Sequence, residues 1–181
     1  MRKFSTMILL ALALTVITAQ ASLAASPHFK HGGEPTCTIT GGGTNSTSTT
    51  CRGSLAGLGG GDVVIDTTVS GFAVYQCQNG GGNTAAGQNK VLEGPSTTPT
   101  EISGNEIKNG NLAFTTKPAP LAADSTVSGS AAGCPNSNWT GVNPSLTLTS
   151  IELTISQGGT QLFDCTASNP NGLSGTVALS C

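Results

Sequence analysis

The side chains that could do chemistry in this sequence are six cysteines, two histidines, nine carboxylates and a group of amides around one tryptophan. Nucleophilic catalysis needs a hydroxyl or thiol beside a base, and the usual base is a histidine held by a third group. Both histidines stand in Ser26-Pro27-His28-Phe29-Lys30-His31, no GxSxG occurs, and the cysteines are expected to be oxidised. Nucleophilic hydrolysis is therefore disfavoured. Paired carboxylates stay open, since Asp62 with Asp66, or Glu101 with Glu106, could meet in space as acid and base. The plainer reading of such pairs is solvated surface on a strand. An amino-terminal copper site would need His28 in third position, which only a cut after Ala25 provides, and Pro27 then has no N–H to lose to the metal. A looser cation site at His28 and His31 competes with a flexible terminus. No DxDxDG spacing marks a calcium loop. Neither Gly57–Gly61 nor Gly80–Gly82 has the Lys-Ser/Thr ending of a phosphate loop. The expectation is no metal and no cofactor.

The amides are more informative. Two segments, Gln78–Asn89 (QNGGGNTAAGQN) and Pro135–Trp139, supply Asn79, Asn83, Gln88, Asn136 and Asn138 together with Trp139. Amides and an indole can hold a sugar by hydrogen bonds and ring stacking, and a Cys77–Cys134 bridge would bring the segments together. Against this stands the reading of ordinary turns with Trp139 in the core. The threonine pairs Thr38/Thr40, Thr47/Thr49 and Thr147/Thr149 could lay out a flat surface for ice or a polymer, although threonine also simply suits strands. Asn45-Ser46-Thr47 and Asn138-Trp139-Thr140 would accept glycans in a host that attaches them.

These residues must be positioned by a chain that opens like an exported one. Arg2 and Lys3 precede an apolar run, Met7–Ile17, and then small residues, the order of a signal peptide. That run is about half of the roughly 20 apolar residues a spanning helix needs, so no membrane span is expected. Ser22 and Ala24 suit a cut after Ala24, giving a signal peptide over 1–24, a flexible segment over 25–35 and a single domain over 36–181. Without Arg2 and Lys3, five basic residues face nine acidic ones. Nucleic acid is excluded as a partner, because five scattered cations make no basic patch.

Charged residues are only 9% and glycine reaches 25 residues, yet disordered chains usually combine polarity with high charge. Here short apolar runs alternate with polar residues at period two. Val63, Ile65 and Val69 share one strand face while Asp62, Val64 and Asp66 share the other, and a break at Ser70-Gly71 precedes Phe72–Cys77. Further strands are expected at Thr36–Thr40, Thr47–Leu55, Lys90–Glu93, Thr100–Ser103, Asn111–Thr116, Ser145–Ser156, Gln161–Thr166 and Thr176–Cys181, separated by Gly, Pro and Asn clusters. In Ser145–Ser156, Leu146 and Leu148 point one way, and Ile151, Leu153 and Ile155 the other. A bulge near Ser150, or a strand changing sheets, would explain the slip. Gln78–Asn89 and Lys117–Trp139 are long loops. The pattern predicts an all-β fold, a single antiparallel β-sandwich of immunoglobulin-like type stapled by disulfides.

All six cysteines fall beyond the signal segment, and an even count in an exported chain means three disulfides. Zinc would want close ligand pairs, and no CxxC or CxxxxC occurs. If Gly41–Ser48 turns a hairpin centred on Thr44, Cys37 lies opposite Cys51 at bridging distance. A tight turn at Asn169–Gly172 would set Cys165 opposite residue 176, about 17 Å short of Cys181, so a Cys165–Cys181 pair needs a looser loop. Cys77 with Cys134 then follows by elimination. With aromatics at only 4%, the core must be aliphatic and thin, and staples worth about 2–4 kcal/mol each would offset that.

The segments SPHF (Ser26–Phe29), SLAGLG (Ser54–Gly59), CQNGGGN (Cys77–Asn83) and CPNSNW (Cys134–Trp139) make the chain resemble a group of small secreted microbial proteins of unknown function. The resemblance implies one domain and supplies no activity or catalytic residue. Its members share Cys77 and Cys134, whereas Cys165 and Cys181 look particular to this chain, which supports pairing the last two with each other. The resulting expectation is a secreted, non-enzymatic protein acting by surface contact in the extracellular matrix or at the cell envelope, with a glycan or surface polymer as partner. A carbohydrate-binding module is the alternative, and a carboxylate-based hydrolase stands behind it.

Overall fold

The structure, a computed structural model, describes residues 26–181; the expected signal peptide lies outside the described residues. In chain order the strands are β1 (His28–Phe29), β2 (Thr36–Thr40), β3 (Ser46–Ala56), β4 (Val63–Gln78), β5 (Thr84–Ala86), β6 (Val91–Ile102), β7 (Leu112–Thr116), β8 (Leu121–Ala122), β9 (Thr126–Ser128), β10 (Thr140–Gln157), β11 (Thr160–Ser168) and β12 (Gly175–Ala178), with one short helix, α1 (Gly129–Ala132). They form two six-stranded antiparallel sheets. One sheet runs β1-β3-β2-β12, with β7 and β8 also on β3; the other runs β11-β10-β4-β5, with β6 also on β4 and β9 on β10. The expected sandwich is what the chain forms.

The period-two pattern is carried most fully by β4, whose inward residues Val63, Ile65, Thr67, Val69, Gly71, Ala73, Tyr75 and Cys77 are all buried. The expected break at Ser70-Gly71 is absent. Its neighbours take up the irregularity instead. On one side Leu148 pairs with Gly71 and Ser150 with Ser70, leaving Thr149 over as a bulge. On the other, Val69 pairs with Ser96 and Gly71 with Glu93, so Gly94 and Pro95 stand against Ser70. The Thr149 bulge is the phase slip near Ser150. It lets Leu146 and Leu148 before it, and Ile151, Leu153 and Ile155 after it, all face the core. A second bulge lies at Asn143-Pro144, where Val142 pairs with Gln76 and Ser145 with Val74. Asn143 sits there at φ 49°, a left-handed conformation that asparagine accepts more readily than most residues.

The three disulfides pair Cys37 with Cys51, Cys77 with Cys134 and Cys165 with Cys181. Cys37 and Cys51 are directly opposed across β2 and β3. The last bridge is reached by a route that differs from the hairpin expected at Asn169–Gly172. The tight turn is there, with the Gly172 amide donating to the Asn169 carbonyl at 3.0 Å. Beyond it the chain leaves β11, and β12 adds to β2 in the opposite sheet, Thr176 facing Thr38. Only then does it return. Ser180 and Thr166 exchange backbone hydrogen bonds of 2.8 and 2.8 Å, which brings Cys181 to Cys165.

Ahead of Thr36, within the segment 25–35, His28 and Phe29 pair with Ala56 and Leu55. The cause is Phe29, whose ring meets Phe163 of the other sheet at 4.5 Å between centroids and closes that side of the sandwich. Thr47 and Thr49, read as outward, are buried. Thr38 does face outward, its hydroxyl 3.1 Å from that of Thr176. Inside, Thr67 donates to Thr116 at 3.0 Å, so both buried hydroxyls are satisfied.

One feature of β10 sets up the functional geometry. β11 covers its outer edge only from Ser150 to Gln157, and β9 only from Thr140 to Val142. Backbone groups in the interval find other partners. The Leu146 amide donates to the Thr44 carbonyl at 2.9 Å and its carbonyl accepts from Gly43 at 3.2 Å, so the β2–β3 hairpin tip docks there. The Leu148 carbonyl accepts from Leu173 at 2.7 Å and that of Thr149 from Asn169 at 2.9 Å.

A Cβ on Gly71 would collide with the Thr147 carbonyl oxygen, whereas one on Gly80 meets nothing within 4 Å. Gly71→Ala should therefore lower unfolding stability by about 2 kcal/mol, the range of overpacking effects, while Gly80→Ala stays close to wild type. Denaturant midpoints of the two variants measure this; equal midpoints would contradict the packing.

Candidate functional site

The amide-rich segments expected to form a site are joined as anticipated, with Cys77 and Cys134 5.5 Å apart at Cα. Much of their polarity is spent locally. The Asn79 side-chain oxygen accepts from the amides of Gly81 and Asn83 at 3.0 and 3.0 Å, closing the β4–β5 turn. The Asn136 oxygen accepts from the Asn138 amide at 2.9 Å. These are the local turns that asparagine favours. Trp139 is half-buried and packs against the core. Asn83, Gln88 and Asn138 remain exposed on the same end of the molecule.

Beside this end lies a cleft of about 520 Å³ that the sequence did not single out. The hairpin tip contributes Gly43 and Asn45, the approach to β9 contributes Ser125, the second bulge contributes Asn143 and Ser145, and β4 contributes Gln76. The Asn143 side-chain amide donates to the Gln76 side-chain oxygen at 3.2 Å, fixing both. The bulge makes this possible, because it turns Asn143 out beside an outward residue of β4. In the sequence the available signal is Asn143-Pro144, a turn-forming dipeptide just ahead of a strand pattern. Every lining residue is neutral. The chemistry on offer is amide and hydroxyl hydrogen bonding without charge.

On the opposite face of β4 from Gln76, the buried Tyr75 hydroxyl donates to the Asp124 carbonyl at 3.0 Å and lies 3.4 Å from a Glu93 carboxylate oxygen. Burial, followed by the charges of Glu93 and Asp124 and the hydrogen bond to Glu93, pushes the phenol up to about 12. The Glu93 carboxyl is also raised, by burial first and then by Asp124, with the Tyr75 hydrogen bond opposing.

The carboxylate pairs resolve differently. Asp62, Glu101 and Glu106 border a separate cleft of about 480 Å³, and Asp66 is not among its lining residues. Asp62 accepts from the Gly104 amide at 2.8 Å and so anchors the single helical turn Gly104–Glu106. His28 Nδ1 lies 2.8 Å from the Ser26 carbonyl oxygen. Among the described residues, no group of three or more His, Cys, Asp or Glu could hold a metal ion, and no helix is long and apolar enough to cross a membrane.

No family model matches the chain, and no curated protein matches it. Among solved structures it is similar to a calcium-binding mutant of Bacteroides uniformis beta-glucuronidase 2, at 13% identity and TM-score 0.36, over 79% of this chain and 14% of that one. The Bacteroides uniformis beta-glucuronidase itself aligns at 12% identity and TM-score 0.35, over 78% of this chain. The chain thus spans 14% of the length of each of these enzymes.

Tyr75 is the one tyrosine of the sequence, so phenolate absorbance reports on it alone. Its folded pKa of about 12 lies above the ordinary 10.0. The phenol's contribution to stability is therefore complete below about pH 10 and lost as pH rises through 12. An ultraviolet titration of the native protein should show a midpoint near 12, moving down in Glu93→Gln; a wild-type midpoint near 10 would contradict the buried hydrogen bonding.

Proposed function

We propose that this is an exported, disulfide-stapled protein that acts by contact, binding a neutral glycan at the cleft between the β2–β3 hairpin tip and the Asn143 bulge. The observation that carries the reading is the cleft's lining, Asn45, Gln76, Asn143, Ser125 and Ser145, which offers donors and acceptors and no charge. A polyhydroxylated neutral ligand matches such a lining, because each hydroxyl can both donate and accept. An anionic or cationic ligand would find no countercharge there.

Gln78 lies about 7 Å beyond Gln76 on the same strand face, and Gln78 pairs with Thr84 and Thr140 at the base of the two amide loops. An extended glycan following β4 would reach from the cleft toward Asn83, Gln88 and Asn138. The signal-like opening of the chain and the pairing of all six cysteines support export, since such bridges persist in oxidising compartments. Carboxylate-based hydrolysis is the weaker reading, because Asp62 is engaged in holding the Gly104 turn.

The test is retention of the oxidised protein on a panel of neutral polysaccharide columns, or on a glycan array. Gln76→Ala combined with Asn143→Ala should weaken binding about tenfold or more, as the loss of two or so hydrogen bonds predicts, and Asn138→Ala by less. Undiminished binding by the double variant would remove the cleft from the account.

A further inference from the structure

The outward face of β4 does not end at the cleft. Toward the start of the strand, Gln78 and Gln76 are followed on the same face by Val74 and Phe72, because these alternate with the buried set. On that spacing Phe72 lies about 13 Å from Gln76. The register widens the row sideways. Phe72 pairs with Leu92 of β6 on one side and with Thr147 of β10 on the other, and Val74 pairs with Ser145, which itself lines the cleft. The cleft therefore opens onto a ledge of Val74, Phe72 and Leu92.

The core does not account for apolar side chains at these positions. The sequence carries only five phenylalanines; Phe29, Phe114 and Phe163 lie in the core or against it, whereas Phe72, Val74 and Leu92 do neither. Leu92 is 84% exposed, the one large hydrophobic side chain so exposed among the described residues. A lone exposed leucine is ordinary, but one that adjoins two other outward apolar residues and a polar cleft makes a patch, and such patches mark binding surfaces. Lys90 borders it, with its ammonium 4.1 Å from the centroid of the Phe72 ring. One face of that ring is thus taken, and the surface left to a ligand is Leu92, Val74 and the rest of the ring. The outward face of the other sheet gives the contrast: Thr36, Thr38, Arg52, Thr115 and Thr176 are cross-strand neighbours there, with no large apolar side chain among them.

A polar row that leads into an apolar ledge along one continuous strand suits a particular ligand shape. A sugar ring with equatorial substituents carries its hydroxyls on its edges and its C–H bonds on its faces. When the units are also joined equatorially, as in cellulose-like and chitin-like chains, the polymer is an extended ribbon that repeats both features; an axially joined chain, as in starch, coils away from such a face. Amide side chains satisfy the edges, and covering Leu92 and Val74 with a C–H face removes apolar area from water. We propose, resting on the neutral-glycan reading of the cleft, that the ligand is an equatorially linked, ribbon-like glycan of cellulose-like or chitin-like type. One unit is held by Gln76 and Asn143, and the units that follow stack on Val74, Leu92 and the free part of the Phe72 ring, with the Lys90 ammonium donating to hydroxyls beside it.

Oligosaccharides of matched length test it. In titrations of the full oxidised protein, the hexasaccharide of the cello- or the chito-series should bind about tenfold tighter than the disaccharide of the same series, the equivalent of burying one leucine side chain in part. Maltohexaose should gain nothing over maltose. Leu92→Asn, a change at an exposed position, should bring the hexasaccharide down to the affinity of the disaccharide, and Phe72→Thr should shrink the gain. Gln76→Ala with Asn143→Ala should weaken both lengths. Equal affinity for the two lengths in both series, an equal gain for maltohexaose, or a gain that survives Leu92→Asn would overturn the ledge while leaving the cleft in place. Binding of neither series also overturns it; the cleft falls separately, on undiminished polysaccharide retention by its own double variant.

Discussion

Residues 143–149 of β10 leave a length of backbone edge that neither β9 nor β11 covers. Backbone donors and acceptors that are removed from water must be satisfied, and this chain satisfies them with two segments from outside the sheet. The hairpin tip takes both hydrogen-bonding groups of Leu146, and the turn after β11 takes the carbonyls of Leu148 and Thr149. Each contact also locates a cavity. Gly43 lines the polar cleft on one side and a second, open hollow on the other, and Leu173 marks the far rim of the second. The gap spans the bulges at Asn143-Pro144 and Thr149, which break the register of β10 against a continuous β4.

The core that supports this is aliphatic and long rather than thick. Its fully buried members are mostly Val, Leu and Ile, with Tyr75 the largest. Each leucine or isoleucine contributes about 1.5–3 kcal/mol by burial, and the conformational entropy of ordering the chain opposes their sum. The disulfides act on that entropy. Cys37–Cys51 ties the base of the docking hairpin. Cys165–Cys181 fixes the return of the chain after β12 has crossed to the other sheet, a long excursion whose closure would otherwise be expensive. Cys77–Cys134 holds the α1 turn, including its left-handed Gly133 cap, onto the end of β4.

What was legible in the sequence was local and periodic. The alternation of Val63, Ile65 and Val69 fixed the inward face of β4, and the mismatch between Leu146/Leu148 and Ile151/Leu153/Ile155 located a bulge within one residue. Cys37 and Cys51 could be paired because only a hairpin separates them. The route of the chain after Asn169 was not legible, because a turn signal says where a strand ends and not which sheet receives the next one. Threonine faces were ambiguous for a related reason. In Ser46-Thr47-Ser48-Thr49-Thr50 every side chain carries a hydroxyl, so period two offers no contrast by which to choose the buried set. The meeting of Gln76 with Asn143 depends on a register 67 residues apart in sequence, which composition cannot supply. Of the acidic pairs, Glu101 and Glu106 do border one cleft, but Asp62 joins them there in place of Asp66, because the β4–β6 pairing sets Val64 opposite Glu101 and the Gly104 amide donates to Asp62.

The docking of the hairpin tip and the crossover turn onto β10 is the claim from which both cavities follow, and amide hydrogen exchange tests it residue by residue. The amides of Gly43, Leu146 and Leu173 should exchange as slowly as those in the β4–β10 ladder, since each donates to a backbone carbonyl across elements. Exchange of the Leu146 and Leu173 amides at the rate of the open Gly80 turn, with the β4–β10 ladder still protected, would contradict the account.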